Sequence, residues 1–248
     1  MKILFLGTGY AIPTEKRNCI CTLIEAGNSL YLIDAGAPAA ELLLKYGKKL
    51  TDIRAIFATH QHGDHVNGMI PLLDLGNWCY KKWEADIFLA EEKAIPVFEA
   101  MVETAMGRAF DRNRLKMHAV SAGEIYADEC IRITAIPTRH MASSGRPSFG
   151  YLAESDGKRV LITGDLSHHL AEGDIPAIAM EEEIDLMVTE MAHFTREEIA
   201  PHLAQLKVKA LGFHHVPNDP EKKAEFAALN GHYPYPVSVL RDGDIREW

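Results

Sequence analysis

An apolar stretch at residues 53–59 runs directly into Thr59-His60-Gln61-His62-Gly63-Asp64-His65, a segment that fits H-x-H-x-D-H. Four residues able to ligate a metal fall within six positions, which constrains the fold more than any other feature. A loop carried on the end of a sheet strand holds such side chains in fixed relative positions. Gly63 permits a sharp backbone turn, so all four can enter one cavity. Imidazole nitrogens and carboxylates together suit Zn, Mn, Fe or Co.

Further ligand-type residues stand where other strands are expected to end. His140 follows an apolar stretch at 131–136, Asp165 follows one at 159–163, and His214-His215 close a stretch at 208–214. Successive strand residues point to opposite faces, so His214 and His215 are not both expected to ligate.

The remaining pattern sets strands at 2–6, 19–25, 29–33, 53–59, 86–90, 131–136, 149–154, 159–163, 184–189, 208–214 and 237–240. Helical stretches are expected at 38–46, 66–83, 91–107 and 220–229. Thr195-Arg-Glu-Glu198 has the form of a capping box that opens another helix, with Ile199, Leu203 and Leu206 on one face. Clusters of strands with helices between them predict a layered α/β fold in one domain spanning residues 1–248.

Composition narrows the function. The 248 residues carry 26 Lys plus Arg against 35 Asp plus Glu, a net charge of −9, which argues against broad capture of phosphate backbones. No extended basic surface for nucleic acid is evident. The first apolar run covers only residues 3–6. A secretory signal needs about 7–15 apolar residues and a membrane helix about 20, so a cytoplasmic location with no membrane partner is expected. Cys19 and Cys21 are spaced C-x-C and read as a buried apolar pair rather than a metal or redox site.

Several motifs occur together and in order: Leu6-Gly-Thr-Gly-Tyr-Ala-Ile-Pro-Thr14 with Arg17-Asn18, Leu32-Ile-Asp-Ala-Gly36, the histidine-rich loop, His140 with Phe149-Gly-Tyr-Leu152, and Thr163-Gly-Asp165. In this combination the sequence resembles the metallo-β-lactamase fold superfamily and is most similar within it to the ribonuclease Z group. The resemblance implies an αββα sandwich of two mixed β-sheets flanked by helices. It implies two divalent transition metals, zinc first, with Mn or Fe as alternatives. One metal would be held by His60, His62 and His140, the other by Asp64, His65 and His215, with Asp165 bridging. An ungapped alignment of residues 208–215 on the family's last strand puts His215, rather than His214, on the ligand. Asp34 would support the site from behind and fix a histidine tautomer.

The chemistry so implied is hydrolysis, with a metal-bound hydroxide attacking phosphorus and Asp64 orienting or deprotonating that water. Thr189-Glu-Met-Ala-His-Phe-Thr195 resembles the group's separate Glu and His motifs compressed into one run. His193 is expected as general acid, supported by Glu190. His168 and His169 each read equally as a rim or a solvent residue, and His118, His202 and His232 read as surface residues.

The sequence also departs from the group. Bacterial ribonuclease Z enzymes carry a long tRNA-holding arm between the third-motif histidine and the bridging aspartate. Here His140 and Asp165 are separated by a strand, the Asp156-Gly157 turn and another strand, which leaves no room for it. Glu15 stands where the group tends to carry Lys. A phosphodiesterase acting on a small phosphodiester, such as a cyclic phosphate, is therefore expected. Processing of tRNA 3′ ends and lactone or thioester hydrolysis are the alternatives, and a homodimer is in keeping with the group. A diiron flavoprotein relative would usually show Glu in place of His62.

Overall fold

The computed structural model describes residues 1–171 and 173–248. The first half runs β1 (Lys2–Gly7), β2 (Cys21–Ala26), β3 (Ser29–Ala35), α1 (Ala39–Lys45), β4 (Ile53–Phe57), α2 (Gly63–Val66), α3 (Met69–Trp78), β5 (Ala85–Leu89), α4 (Ile95–Met106) and β6 (Leu115–Ala119). The second runs β7 (Gly123–Ala127), β8 (Arg132–Thr138), β9 (Ser148–Ser155), β10 (Lys158–Ile162), α5 (Ile178–Glu181), β11 (Leu186–Glu190), α6 (Arg196–Leu203), β12 (Leu211–His214), α7 (Pro220–Ala227), β13 (Val237–Val239) and β14 (Ile245–Glu247).

Among the described residues the strands form two seven-stranded sheets, ordered β14-β1-β2-β3-β4-β5-β6 and β13-β12-β11-β10-β9-β8-β7. Each is antiparallel on one side and parallel on the other, with β3 to β6 parallel in the first sheet and β10 to β13 in the second. Alternate residues of β3 serve different cores. Leu30 and Leu32 pack on the layer of α1, α3 and α4, whereas Tyr31 and Ile33 pack between the sheets. A third apolar cluster, including Met187, Phe213, Ile199 and Phe226, joins the second sheet to α6 and α7. Sheets buried on both faces read as continuous apolar runs, which is why strands were visible in the sequence while their facing was not. This is the four-layer αββα arrangement of mixed sheets.

Some expectations are corrected. The mostly helical stretch expected at 66–83 is helical only in part. α2 ends at Val66, α3 ends at Trp78, and 79–84 leave the helix. The buried Trp83 indole N–H donates to the Ile53 carbonyl at 2.7 Å, and a Cβ on Gly76 would meet its ring at 2.4 Å. The chain must turn back under α3 to seat that ring. Strands β6 and β7 were not foreseen, because their partly exposed residues lack an apolar run. The terminal β14 pairs with β1 through backbone alone and was likewise missed. Expected helix 91–107 starts later, at Ile95. Thr195 does form the capping box of α6. Cys19 and Cys21 are buried and free, although Cys19 precedes the strand.

Gly36 follows β3 where the histidine loop crosses it. A Cβ there would lie 2.1 Å from the Asp64 carbonyl oxygen and 2.7 Å from that of Ile20. Both obstacles are backbone, so Gly36→Ala must shift α2 with Asp64 and His65. Overpacking of this kind costs about 1–3 kcal/mol, which urea unfolding will register as a lowered midpoint at unchanged slope.

Candidate metal centre

The residues singled out from the sequence converge on one edge of the sandwich. Asp34 is the penultimate residue of β3, His60 to His65 follow β4, Asp165 follows β10, Glu190 ends β11, and His215 follows β12. These strands run parallel within their sheets. His140 follows β8, which is antiparallel to β9, itself antiparallel to β10, so β8 also runs with β10. All the groups therefore leave the carboxyl ends of strands, where open α/β sheets build their sites.

A buried carboxylate fixes the histidine loop. Asp34, with φ +57°, accepts the Thr59 N–H on Oδ1 at 2.8 Å and the Thr59 hydroxyl on Oδ2 at 2.9 Å. The same Oδ2 lies 2.7 Å from His65 Nδ1. A proton held on that nitrogen leaves Nε2 as the free donor facing the cluster, a tautomer set from behind. His140 is oriented likewise, with Nδ1 3.0 Å from the Leu166 carbonyl.

Asp165 lies at the centre. Its Oδ2 is 3.7 Å from both His60 Nε2 and His140 Nε2, while Oδ1 is 3.5 Å from His65 Nε2 and 3.2 Å from His215 Nδ1. His62 Nδ1 is 3.2 Å from His140 Nε2, and Asp64 Oδ2 is 3.1 Å from His215 Nε2. Two sets thus meet at one carboxylate. His60, His62, His140 and Asp165 offer ligand atoms all within 4.8 Å of one another, and so do Asp64, His65 and His215. Buried His60 Nε2, His65 Nε2, Asp165 Oδ1 and His215 Nδ1 have no hydrogen-bond partner among the described residues. Orphaned buried donors of this chemistry are costly unless an ion occupies the space between them, so the residues fit divalent metal. A third set joins Asp165, His193 and His215. There His193 Nδ1 is already 2.8 Å from both Glu190 oxygens, which argues for a proton on that nitrogen.

Burial and charge divide the histidines. Burial, aided by neighbouring imidazoles, holds His60 well below its ordinary pKa and also lowers His62 and His140. Burial opposes charging of His65 and His215 too. Asp165 and Asp34 nevertheless push His65 well up, and Asp165 with Asp64 pushes His215 up to about 9. The carboxylates respond in kind. Burial would raise Asp165, Asp64 and Glu190, but His215 and His65 hold Asp165 well down, His215 and His65 bring Asp64 to about 2, and His193 with His215 brings Glu190 to about 2.

Glu190 is fully buried, with Oε1 accepting the Leu166 N–H and Oε2 the N–H groups of Ala192 and His193. It therefore locks the His193 backbone and ring together. His193 Nε2 makes no hydrogen bond to a described residue. Among the described residues, buried His214 has no partner for either ring nitrogen and belongs to none of the three ligand sets, so the side chain turned into the cluster is that of His215. The His168 ring stands edge-on to His193 at 4.7 Å, while His169 pairs with Glu198. His118, read as an ordinary surface residue, is held by Asp86 and stacked on Phe88.

Several contributors were given no role in the sequence, although Tyr10 and Ala11 lie within the opening motif. Tyr10 packs edge-on against His215 and His193, and the Ala11 N–H donates to Asp64 Oδ2 at 2.9 Å. Buried Asp174 accepts the N–H groups of Arg139 and Ser167, which ties together the two loops bearing His140 and Asp165. Lys222 donates to the Ala192 carbonyl beside His193. A backbone donor, an aromatic edge or a lone carboxylate becomes recognisable only once the chain has folded.

The family model described as anti-Pycsar protein Apyc1 matches residues 1–229. Ribonuclease Z of Methanocaldococcus jannaschii is 32% identical over 155 residues, which cover 61% of this chain and 47% of that protein. The chain spans about half the length of the curated relatives it matches. Among solved structures, human tRNase Z, short form, superposes with a TM-score of 0.75 at 20% identity, covering 100% of this chain and 99% of that one. The metallo-β-lactamase fold protein YhfI of Bacillus subtilis gives 0.77 at 17% identity with the same coverage.

Two outcomes follow from this geometry. Asp34→Asn loses the acceptor that fixes His65, so metal affinity should fall about 10–100-fold in a chelator competition titration. The pH dependence has a definite sign. His215, raised to about 9, stabilises chelator-stripped protein fully below its unfolded pKa of 6.5, and that contribution fades as pH rises through about 9. His214, lowered by burial to about 3, contributes above 6.5, and that contribution fades as pH falls. Stripped protein should therefore be most stable near pH 6.5 in urea titrations. Metal affinity should strengthen from pH 6.5 to 9, because ligation needs neutral His65 and His215.

Proposed function

The chain belongs to the anti-Pycsar protein Apyc1 family, with the metallo-β-lactamase fold, and from that premise we propose that it is a binuclear metal-dependent phosphodiesterase. The observation that carries this reading is Asp165, whose two oxygens face different histidine sets. His60, His62 and His140 would hold one metal, Asp64, His65 and His215 the other, and Asp165 both. The nitrogen and oxygen donors suit zinc, with Mn or Fe as alternatives. When bound, the pair supplies Lewis acidity toward phosphoryl oxygens and acidifies water to near neutrality.

The chain's own groups perform the remaining tasks. Asp64, with its pKa near 2, accepts a hydrogen bond from the attacking water and orients it rather than retaining its proton. His193 donates from Nε2 to the leaving oxygen, while ionised Glu190 on Nδ1 stabilises the imidazolium before transfer. Asp34 acts through His65.

A small phosphodiester is the substrate class best supported. The interval from His140 to Asp165 is filled by β9 and β10, which leaves no protruding arm to grip tRNA, and the net charge of −9 disfavours a long polyanion. Similarity to ribonuclease Z keeps RNA 3′ processing as the second reading. The four cysteines are all free, in keeping with a reducing cytoplasm. No described helix is long and apolar enough to cross a membrane.

Purified protein should contain close to two transition metals per chain and hydrolyse bis(p-nitrophenyl) phosphate. His60→Ala should lose metal together with activity. His193→Ala should lower kcat about 10²–10⁴-fold on a cyclic nucleotide, whose alkoxide needs a proton, and far less on the aryl ester. Absence of metal with His60→Ala unimpaired would overturn the hydrolase reading. Preferential cleavage of precursor tRNA, or of lactones, in a substrate panel would overturn the small-phosphodiester assignment.

A further inference from the structure

Beside the metal centre lies a second concavity, of about 530 Å³, lined by Thr14, Lys16, Arg17, Asn218, Lys223 and Arg241, with Asp242 as its one acidic wall residue. It is joined to the centre by backbone. Val216, the residue after His215, also lines it, donates its N–H to the Thr8 carbonyl and accepts from Tyr10 N–H, while Tyr10 covers the His215 ring.

Four cations on one concave surface are unexpected in a chain of net charge −9. None of them has a described carboxylate oxygen within 4.0 Å. Asp242 acts on Arg17 by its charge but makes no ion pair with Lys16, Lys223 or Arg241, and its oxygens are taken by neutral donors. Oδ1 accepts the Thr8 N–H and hydroxyl, and Oδ2 accepts the Asn18 N–H and side-chain amide, at 2.6–2.9 Å. Arg17 is structural, with Nη1 donating to the Thr8 hydroxyl and the Leu240 carbonyl. The side-chain nitrogens of Lys16, Lys223 and Arg241 donate to no described group, and all three residues line the space. Like charges held together without partners repel one another, a cost an anionic occupant removes. Ammonium and guanidinium groups are the usual donors to phosphate oxygens, and the volume falls in the usual range for a small-ligand site.

We infer that this cavity is a phosphate-binding subsite, formed by Lys16, Lys223 and Arg241, which takes a second, non-scissile phosphate of the substrate. This rests on the phosphodiesterase reading for its substrate, while the anion site itself does not. It narrows the favoured class to small phosphodiesters that bear an additional phosphate monoester. The same chemistry would also accept free inorganic phosphate.

The test uses the full-length, metal-containing protein and Lys16→Ala/Arg241→Ala, two exposed positions outside the metal cluster. Inorganic phosphate binding is measured by calorimetry, and KM is compared for a 2′,3′-cyclic nucleotide with and without a 5′-phosphate. The double variant should weaken phosphate binding at least tenfold. It should raise KM at least tenfold for the 5′-phosphorylated substrate alone, with kcat unchanged, and should unfold no earlier than wild type on heating. Weakened phosphate binding with both KM values unchanged assigns the subsite to free phosphate and overturns its role in substrate selection. Unchanged phosphate binding, or an equal rise in both KM values, overturns the subsite. If neither nucleotide is turned over by wild type, the phosphodiesterase reading fails, while the calorimetric comparison still decides the anion site.

Discussion

The metal centre depends first on one buried carboxylate. Asp34 is fully enclosed, holds a left-handed backbone angle and accepts from Thr59 twice and from His65 once. A carboxylate removed from water must be fully hydrogen-bonded to be tolerated, so each partner is held as firmly as the acid itself. Those partners begin the loop bearing His60 and His62 and the short helix bearing Asp64 and His65. Through one side chain, the order of β3 next to β4 becomes the orientation of the histidine cluster.

The second requirement is that two sheets meet at the same place. Thr59 also accepts the Phe149 N–H on its carbonyl, and the Tyr151 hydroxyl donates to the Ala58 carbonyl. These contacts cross from the first sheet to the second just beneath the cluster. Gly164, at φ +63°, allows the strand bearing Asp165 to close on them, since a Cβ there would lie 2.8 Å from that of Thr59. Asp165 thereby arrives between histidines from both halves. The proposed division of labour follows from this, with one oxygen directed to each set and Glu190 fixing His193 at the rim.

Legibility in the sequence varied with the range of the interaction. Strands were visible because both faces of each sheet are apolar, and α6 because Thr195 and Glu198 are local partners. The break at residues 79–84 was not visible, since its cause is the distant Ile53 carbonyl that receives Trp83. Neither were β6 and β14, which owe their pairing to neighbours rather than to composition. The cationic concavity brings Lys16, Lys223 and Arg241 together from three distant segments, so no local charge run announced it.

Read alone, the sequence determined the chemical character of the site: an H-x-H-x-D-H loop behind a strand, with histidine and aspartate at further strand ends, restricts the donors to nitrogen and oxygen. That information is local, since residue type and spacing set ligand chemistry and strand periodicity. Only the tertiary structure decided that His215 rather than His214 turns into the cluster, which oxygen of Asp165 meets which set, and that Asp34 binds Thr59 together with His65 while Glu190 binds Leu166 together with His193. Those outcomes depend on the angle and register at which two sheets pack, where displacements of an ångström separate a ligand from a bystander.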